Sequence, residues 1–491
     1  MQDPAMEELA KATAETCGVK MSDDKPCGRP IHSVPEHDQR PVCLMHSKDP
    51  AKSDAEFQAE FERILTEAER AGTLADFTRF VFCNADYVNR TFVPPCCFGG
   101  AIFTKTAGFH SATFTQDAGF MHVTFTKDAS FSSAKFKDAF FSFATFTQDA
   151  QFHNARFTQD ADFKFVTFAK SATFEKARFT QDADFTRVEF KSRGDFELTT
   201  FSGAATFRET RFRQDSHNAP GLEFSDVQIA HPENVEFYNT DLGQALFHNT
   251  DVSKFDFTLV KWRNRRRTEW LRYFGRQYWE PRFCLFEENV YLLSAWALVS
   301  SEDSPDERNY SLIAETYQQL KRNYDAKGDY WTAGHWHYGE MEMKRLHSRW
   351  RSRPLRWLSH NFSLVALYKY ASAYGESYMI PLVWLAAVIT VFAILYPIPG
   401  LELSKDSGGG VVRYWNVAEF FRTHCAEHPS GWPGLILHGF MTSISVAGFQ
   451  RELKYAPSYP WGRLLALIEL LLTTTLGALF ALAIRRQFKR S

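Results

Sequence analysis

Phenylalanine recurs every five or six residues from Phe77 to Phe257, and a small residue stands two places before nearly every one. The clearest run passes through Phe103, Phe109, Phe114, Phe120, Phe125, Phe131 and Phe136 and continues to Phe212, with Ala107, Ala112, Ala118, Ala129 and Ala134 among the small partners. A helix repeats its apolar residues three or four apart and a half-buried strand every second residue, so a period of five excludes both. Short fixed periods mark solenoids. Five residues suit one side of a square coil, with the bulky centre and its small neighbour both pointing inward.

The middle of the array alternates spacings of five and six, giving units such as FTQDAQFHNAR. The sixth residue is expected to bulge at alternate corners and lengthen each coil to about 22 residues, so that about eight coils stacked at strand spacing make a rod about 38 Å long. The same pattern includes Ala75-Asp76-Phe77, Ala85-Asp86-Tyr87, Thr240-Asp241-Leu242 and Thr250-Asp251-Val252. It resembles the pentapeptide-repeat proteins, and the resemblance implies a right-handed quadrilateral β-helix, here over residues 75–260. Ahead of it, Ser53 and Glu56 read as a capping box opening an amphipathic helix through Phe57, Phe61, Ile64 and Leu65. Residues 53–74 are therefore expected to cover the first coil, whose bare strand edges would otherwise invite aggregation. Cys83, Cys96 and Cys97 read as filler of the first coils.

The remainder is a different material. Net charge is −2 over 491 residues, which argues against a general polyanion binder, and eight scattered cysteines do not form a secreted disulfide framework. Hydrophobicity gathers near the end of the sequence. Residues 379–396 carry no charge and residues 464–484 carry only Glu469. At 1.5 Å per residue these reach about 27 and 31 Å, enough for two transmembrane helices. Lys344, Arg345, Arg349, Arg351, Arg353 and Arg356 precede the first, and Arg485, Arg486, Lys489 and Arg490 follow the second. The positive-inside rule then gives a multi-pass protein with both termini cytoplasmic.

Between these spans lies 435–449, LILHGFMTSISVAGF, which is apolar and too short to cross. Such a segment reads as a re-entrant pore helix, which makes residues 375–491 a two-helix pore domain. The residues Thr442, Ser443, Ser445, Val446, Ala447, Gly448 and Phe449, with Pro457 and Gly462-Arg463-Leu464 downstream, resemble the pore loop of tetrameric potassium-type channels. A potassium filter needs glycines for its inward carbonyls, and Ala447 and Gln450 stand where that family has them, so potassium selectivity is not implied. Cation conduction is the leading expectation, ahead of anion or nonselective conduction. Glu469 is expected to brace the pore loop, with ion contact or protonation gating as alternatives.

Periodicity assigns the stretch from Trp262 to Tyr374 to helices, with a hairpin turning at Lys327-Gly328-Asp329. TYQQLKRNYDAKGDYWTAGHWHYGEMEMKR and YASAYGES resemble the connector of pentapeptide-repeat proteins that carry a two-helix channel domain, which makes residues 261–374 a linker. His335, His337, Glu340 and Glu342 match no strict metal motif and read as a solvated helical face. The amphipathic FSLVALYKYASAY is expected at the membrane interface. Tyr374, Gly375 and Glu376 follow it as a gating elbow or, more simply, an anchor.

Within residues 1–52, Cys17, Cys27, Cys43 and His46 suit tetrahedral zinc in a structural role, with His32 or His37 able to replace one ligand. The CLMH segment resembles the amino-terminal knuckle of other bacterial pentapeptide-repeat channels. Two functions follow. The first is an oligomeric ion channel of a bacterial inner membrane, tetrameric by resemblance with a pentamer as competitor, whose rod senses an unidentified cytoplasmic ligand or protein. The second is a membrane-anchored scaffold whose rod mimics DNA, like the pentapeptide proteins that protect gyrase. Acidic residues only slightly exceed basic ones along the rod, which disfavours the mimic and nucleic acid alike. No nucleotide loop, nucleophile elbow or paired-carboxylate pattern is present, so enzyme activity is not expected.

Overall fold

In a computed structural model, the described residues are 16–32, 36–212, 220–266, 281–288, 307–347, 353–399, 401–403, 411–412, 431–448, 455–457 and 459–490. They divide into two compact units, Met1–Lys327 and Gly328–Ser491.

The first unit is a β-solenoid of about eight turns. Strands mostly of two residues stack, among the described residues, into four parallel sheets of nine, seven, eight and seven strands. Register pairs Phe103 with Phe125, Phe125 with Phe146, Phe146 with Phe168 and Phe168 with Phe190, so partners stand 21 or 22 positions apart. Inward Phe rings consequently stack coil upon coil, as in Phe152 on Phe174 at 4.8 Å and Phe157 on Phe179 at 4.7 Å. Rings on adjoining faces meet edge to face, as Phe152 does with Phe163 at 5.6 Å. Both geometries are favourable for aromatic quadrupoles. The small partners Ala107, Ala112, Ala118, Ala129 and Ala134 are fully buried, leaving room for those rings.

The alternating spacing has a physical cause at the corners. Most five-residue sides turn through a left-handed residue, as at His122, Ser133, Phe143, Asn154 and Phe165, though Phe136–Phe141 does not. Among six-residue sides, Phe168–Phe174 and Phe190–Phe196 turn through Ala-Lys-Ser and Lys-Ser-Arg, whereas several others, such as Phe125–Phe131, Phe146–Phe152, Phe157–Phe163 and Phe179–Phe185, turn through Thr-x-Asp. There the Asp side chain accepts the amide of the next coil: Asp128 from Asp149, Asp149 from Ser171, Asp160 from Asp182 and Asp182 from Ala204, at 2.9–3.3 Å. The Thr hydroxyl donates back to the previous coil's Phe carbonyl, as Thr126 does to Phe103 at 2.9 Å and Thr158 to Phe136 at 3.0 Å. At these corners Asp and Thr side chains bond to the coils on either side.

Both ends are covered. Helix α1 (Asp54–Ala71) is capped by Ser53, whose hydroxyl accepts the Glu56 amide, and by Gly72 in the left-handed conformation. Its Phe61 stacks on Phe77 at 4.4 Å and on Tyr87 at 4.9 Å. At the other end, α2 (Glu307–Ala326) lies over the last coil. Asn323 Nδ2 donates to the Val252 and Phe255 carbonyls at 3.1 and 2.7 Å, and Trp262 Nε1 donates to Tyr324 at 2.9 Å. The all-helical expectation for this stretch is corrected by an antiparallel pair, Arg263–Arg266 with Pro281–Cys284. A buried network of Arg282, Glu288 and Tyr317 holds it in place.

The second unit contains α3 (Tyr330–Leu346), α4 (Arg353–Phe362), α5 (Leu364–Ser372), α6 (Met379–Leu395), α7 (Gly431–Ala447) and α8 (Tyr459–Arg490). A small antiparallel sheet joins Leu401–Leu403 to Val411–Val412 and to Tyr455–Pro457. Among the described helices, α8 is long and apolar enough to cross a membrane, whereas α6 and the apolar part of α7 are shorter.

Candidate functional site

Three places gather chemistry. In the first unit, a hairpin closed by Cys17 N–H to Arg29 O and Gly28 N–H to Cys17 O sets Cys17 beside Cys27. Gly28 holds the required positive φ of 68°. A tight turn brings His46 back onto Cys43, its amide bonding to the Cys43 carbonyl at 3.1 Å. The four ligand atoms of Cys17, Cys27, Cys43 and His46 lie within 4.8 Å of one another. His32 and His37 stand outside that group.

The spacing suits a tetrahedral ion. Zinc–sulfur and zinc–nitrogen bonds imply tetrahedron edges of about 3.8 Å between sulfurs and about 3.6 Å from sulfur to nitrogen. Cys27 Sγ stands 3.8 Å from Cys43 Sγ, and His46 Nδ1 stands 3.5 Å from Cys17 Sγ and 3.1 Å from Cys43 Sγ. His46 Nε2 lies 3.1 Å from the Thr78 carbonyl, which selects the tautomer that leaves Nδ1 free for a metal. Arg29 Nη1 donates to Cys27 Sγ at 3.1 Å. Hydrogen bonds with Cys17 and Cys43 hold the Cys27 thiol well below its ordinary range. Burial alone would lower His46, but its contacts with Cys17 and Cys27 raise it to about 9. A metal binding here would displace the remaining thiol protons and any proton on His46 Nδ1. The knot is fastened to the first coil through Val81 N–H to Met45 O at 2.8 Å and through Lys52, whose ammonium reaches the Leu44, Ser47 and Val81 carbonyls.

The second place is Glu469 on α8. Tyr396, just past α6, and Ser443 on α7 both direct their hydroxyls to its carboxylate, and Ser443 Oγ also lies 3.1 Å from the Ile389 carbonyl. Glu469 and Ser443 are fully buried. One carboxylate therefore ties three helices together. Gly439 lets α7 and α6 meet closely, because a Cβ there would stand 2.0 Å from the Ala393 carbonyl oxygen. Thr442 Oγ1 bonds within the helix to His438 O, and Val446 packs on Phe392, Tyr396 and Leu401. Thr442, Ser443, Ser445, Val446 and Ala447 are helical, and Gly448 N–H closes onto Ile444 O at 2.8 Å. Ala447, lacking glycine's freedom, continues the helix. Phe449 and Gln450 lie outside the described residues.

The third place is the elbow. Ala373, Tyr374 and Gly375 take three consecutive positive φ values of 49°, 61° and 76°. Tyr374 is fully buried and its hydroxyl donates to Glu342 Oε1 on α3 at 2.6 Å. Arg486, near the end of α8, donates to the Tyr374 carbonyl at 2.7 Å and lies 3.6 Å from Glu376. Burial by itself would raise the Glu342 pKa, but Lys369, Arg345 and the Tyr374 hydroxyl outweigh it and hold the carboxyl at about 2. This corrects the solvated-face expectation for α3: His335, Glu340 and Glu342 are buried. Glu340 pairs with Lys344, and Glu342 pairs with Arg345 and Lys369.

Three overlapping windows, 109–156, 131–178 and 152–198, match the family of pentapeptide repeats (9 copies). The solenoid is built of pentapeptide repeats. Comparison of the chain with curated proteins and with solved structures gave no match. The pentapeptide-repeat solenoid had a clear signal in its Phe period. The partners of the elbow had none, since Glu342 and Arg486 stand 32 and 112 residues from Tyr374.

Proposed function

We propose that this chain is the subunit of an oligomeric membrane ion channel, with the pentapeptide-repeat solenoid as its sensing or interaction domain. The observation that carries the reading is Glu469, a buried carboxylate in the one described helix long enough to span, held by hydroxyls from the two apolar segments before it. An ionisable group within a span is costly and marks function. Its use here is to brace α7 against α6 and α8, so that the α7 carboxyl end faces the shared axis of several copies. The dipole of that end favours cations. Basic residues flanking the two apolar helices put both chain termini on the cytoplasmic side of a bacterial inner membrane. The spans enclose no aqueous path alone, so copies assemble, four by resemblance.

The amino-terminal centre holds one zinc ion through Cys17, Cys27, Cys43 and His46. All four positions are filled by protein, so the ion supplies structure and no open coordination site. Its work is to lock the hairpin and the CLMH turn onto the first coil.

Liposomes carrying the purified full chain test the channel reading. Potassium or sodium flux is expected, and Gly448→Trp, a bulky change at the end of α7, is expected to change ion preference or stop the flux. No flux of any ion across pH, voltage and tension would remove the reading in favour of a membrane-anchored scaffold.

A further inference from the structure

Helices α4 and α5 present an apolar ridge that is left uncovered among the described residues. Leu355, Leu358 and Phe362 recur at helical spacing on α4, joined by Trp357, and Leu364 and Leu367 extend the ridge onto α5. Trp357 is 61% exposed and Leu364 84% exposed. Soluble surfaces rarely gather so many large apolar side chains in so short a stretch, and such patches mark an interaction site.

The ridge is held rigidly. Arg345 Nη1 donates to the His360 carbonyl at 3.0 Å, fixing the end of α4 to α3. Tyr370 on α5 donates to Asn361 Oδ1 at 3.2 Å, and Trp357 packs edge-on against Phe362 at 5.9 Å. A ridge that merely lacked a place to fold would not need this bracing.

Its level relative to α6 says what covers it. Trp384 Nε1 donates to the Tyr370 carbonyl at 2.9 Å. Trp384 stands five residues into α6, so α5 lies about 8 Å along the helix axis from its start, within the 5–10 Å depth at which amphipathic helices bury in the headgroup and acyl boundary. Trp and Leu on the apolar face, with Arg353 and Arg356 in the same short helix, are the composition of such interfacial helices.

We propose that α4 and α5 form a monotopic membrane anchor, with Leu355, Trp357, Leu358, Phe362, Leu364 and Leu367 immersed in the phospholipid interface. This extends the interfacial reading from the FSLVALYKYASAY segment back to α4, and it rests on α6 entering the bilayer. The anchor fixes the depth of the chain immediately before the Tyr374 elbow.

The test uses the full chain in liposomes of phospholipids brominated either near the headgroup or near the chain ends. The fluorescence difference between wild type and Trp357→Phe isolates the Trp357 signal. That signal is expected to fall about twofold with bromine near the headgroup and less with bromine near the chain ends. Leu358→Glu, at an exposed position that does not support the fold, is expected to lower the quenching while the solenoid's circular dichroism stays unchanged. A Trp357 signal untouched by either lipid, while Trp384 and Trp461 are quenched, would overturn the anchor and leave the spans standing. A Trp357 signal shielded from both bromolipid and aqueous acrylamide would assign the ridge to a protein contact and equally overturn it. No quenching of any tryptophan would remove the membrane reading, and the anchor with it.

Discussion

Arg486 Nη1 donates a 2.7 Å hydrogen bond to the carbonyl of Tyr374, a residue 112 positions earlier in the chain. The end of α8 thereby grips the strained turn that precedes α6, and α3 grips the same turn through Glu342. A displacement of either helix must pass through these three left-handed residues, whose conformation is costly for all but glycine.

Arg486→Gln should release the Tyr374 carbonyl at a cost of about 1 kcal/mol, a modest figure because Arg486 is partly exposed. Gly375→Ala should cost more, roughly 1–2 kcal/mol. Its backbone sits at φ 76°, and a Cβ would stand 2.7 Å from the Tyr368 hydroxyl and 2.9 Å from Arg486 Nη1. Hydrogen exchange across residues 372–378 should accelerate in both variants while solenoid amides keep their protection. Unchanged exchange there would separate the turn from its two clamps.

Two phenylalanines of the same array should respond with very different magnitudes. Phe157 is fully buried between Phe136 and Phe179, and Phe157→Ala should destabilise the solenoid by about 3–5 kcal/mol through the cavity left in the stack. Phe143 occupies a left-handed corner at φ 60° with 44% of its surface exposed. Asn tolerates that conformation better but loses the stacking of Phe143 on His122 at 4.7 Å and on Phe165 at 4.6 Å, so Phe143→Asn should change stability by no more than about 1 kcal/mol. Thermal unfolding of the two variants reads the contrast.

Metal removal should loosen the amino-terminal end alone. Elemental analysis is expected to find one zinc per chain, and a strong chelator should speed proteolysis within residues 16–53 while leaving the central coils intact. Cys43→Ala should reproduce the chelator's effect in untreated protein. A full complement of zinc in that variant would reject the ligand set.

Glu287 gives the solenoid's far end a pH dependence. It is fully buried; its Oε1 accepts the Phe247 amide at 2.6 Å, and burial pushes its pKa up to about 7. Between about 4.5 and 7 the folded chain binds the proton that the unfolded chain has released, so stability falls as pH rises through that window, by up to about 3 kcal/mol. Glu287→Gln keeps the acceptor and removes the titration. The variant should unfold at the same temperature as wild type at pH 4.5 and at a higher one above pH 7. Parallel pH profiles would contradict this assignment.

The solenoid was legible because its physics is local: a ring every five or six residues leaves only one way to bury so much phenylalanine. The Asp corners were half legible, since the sixth residue's place could be inferred but its bond to the next coil, 21 or 22 residues away, could not. Cys17, Cys27, Cys43 and His46 could be picked by ligand type, whereas Thr78 as the partner of His46 Nε2 emerges only when the hairpin docks on the first coil. Phe61 and Leu65 announced the first cap by periodicity. Gln319 and Asn323 gave no such signal for the second, because they bind backbone groups of residues about 70 positions earlier. Around α7 a motif comparison placed a pore helix and filter over residues 435–449, and the helix runs through Ala447, which lacks the conformational freedom of glycine.

The central claim is that copies of α7 meet around a common axis in a bilayer, and counting subunits in nanodiscs of the full chain tests it most directly. Class-averaged images should show four copies arranged symmetrically about a central density. A single copy per disc, at concentrations where the protein is fully folded, would contradict the account.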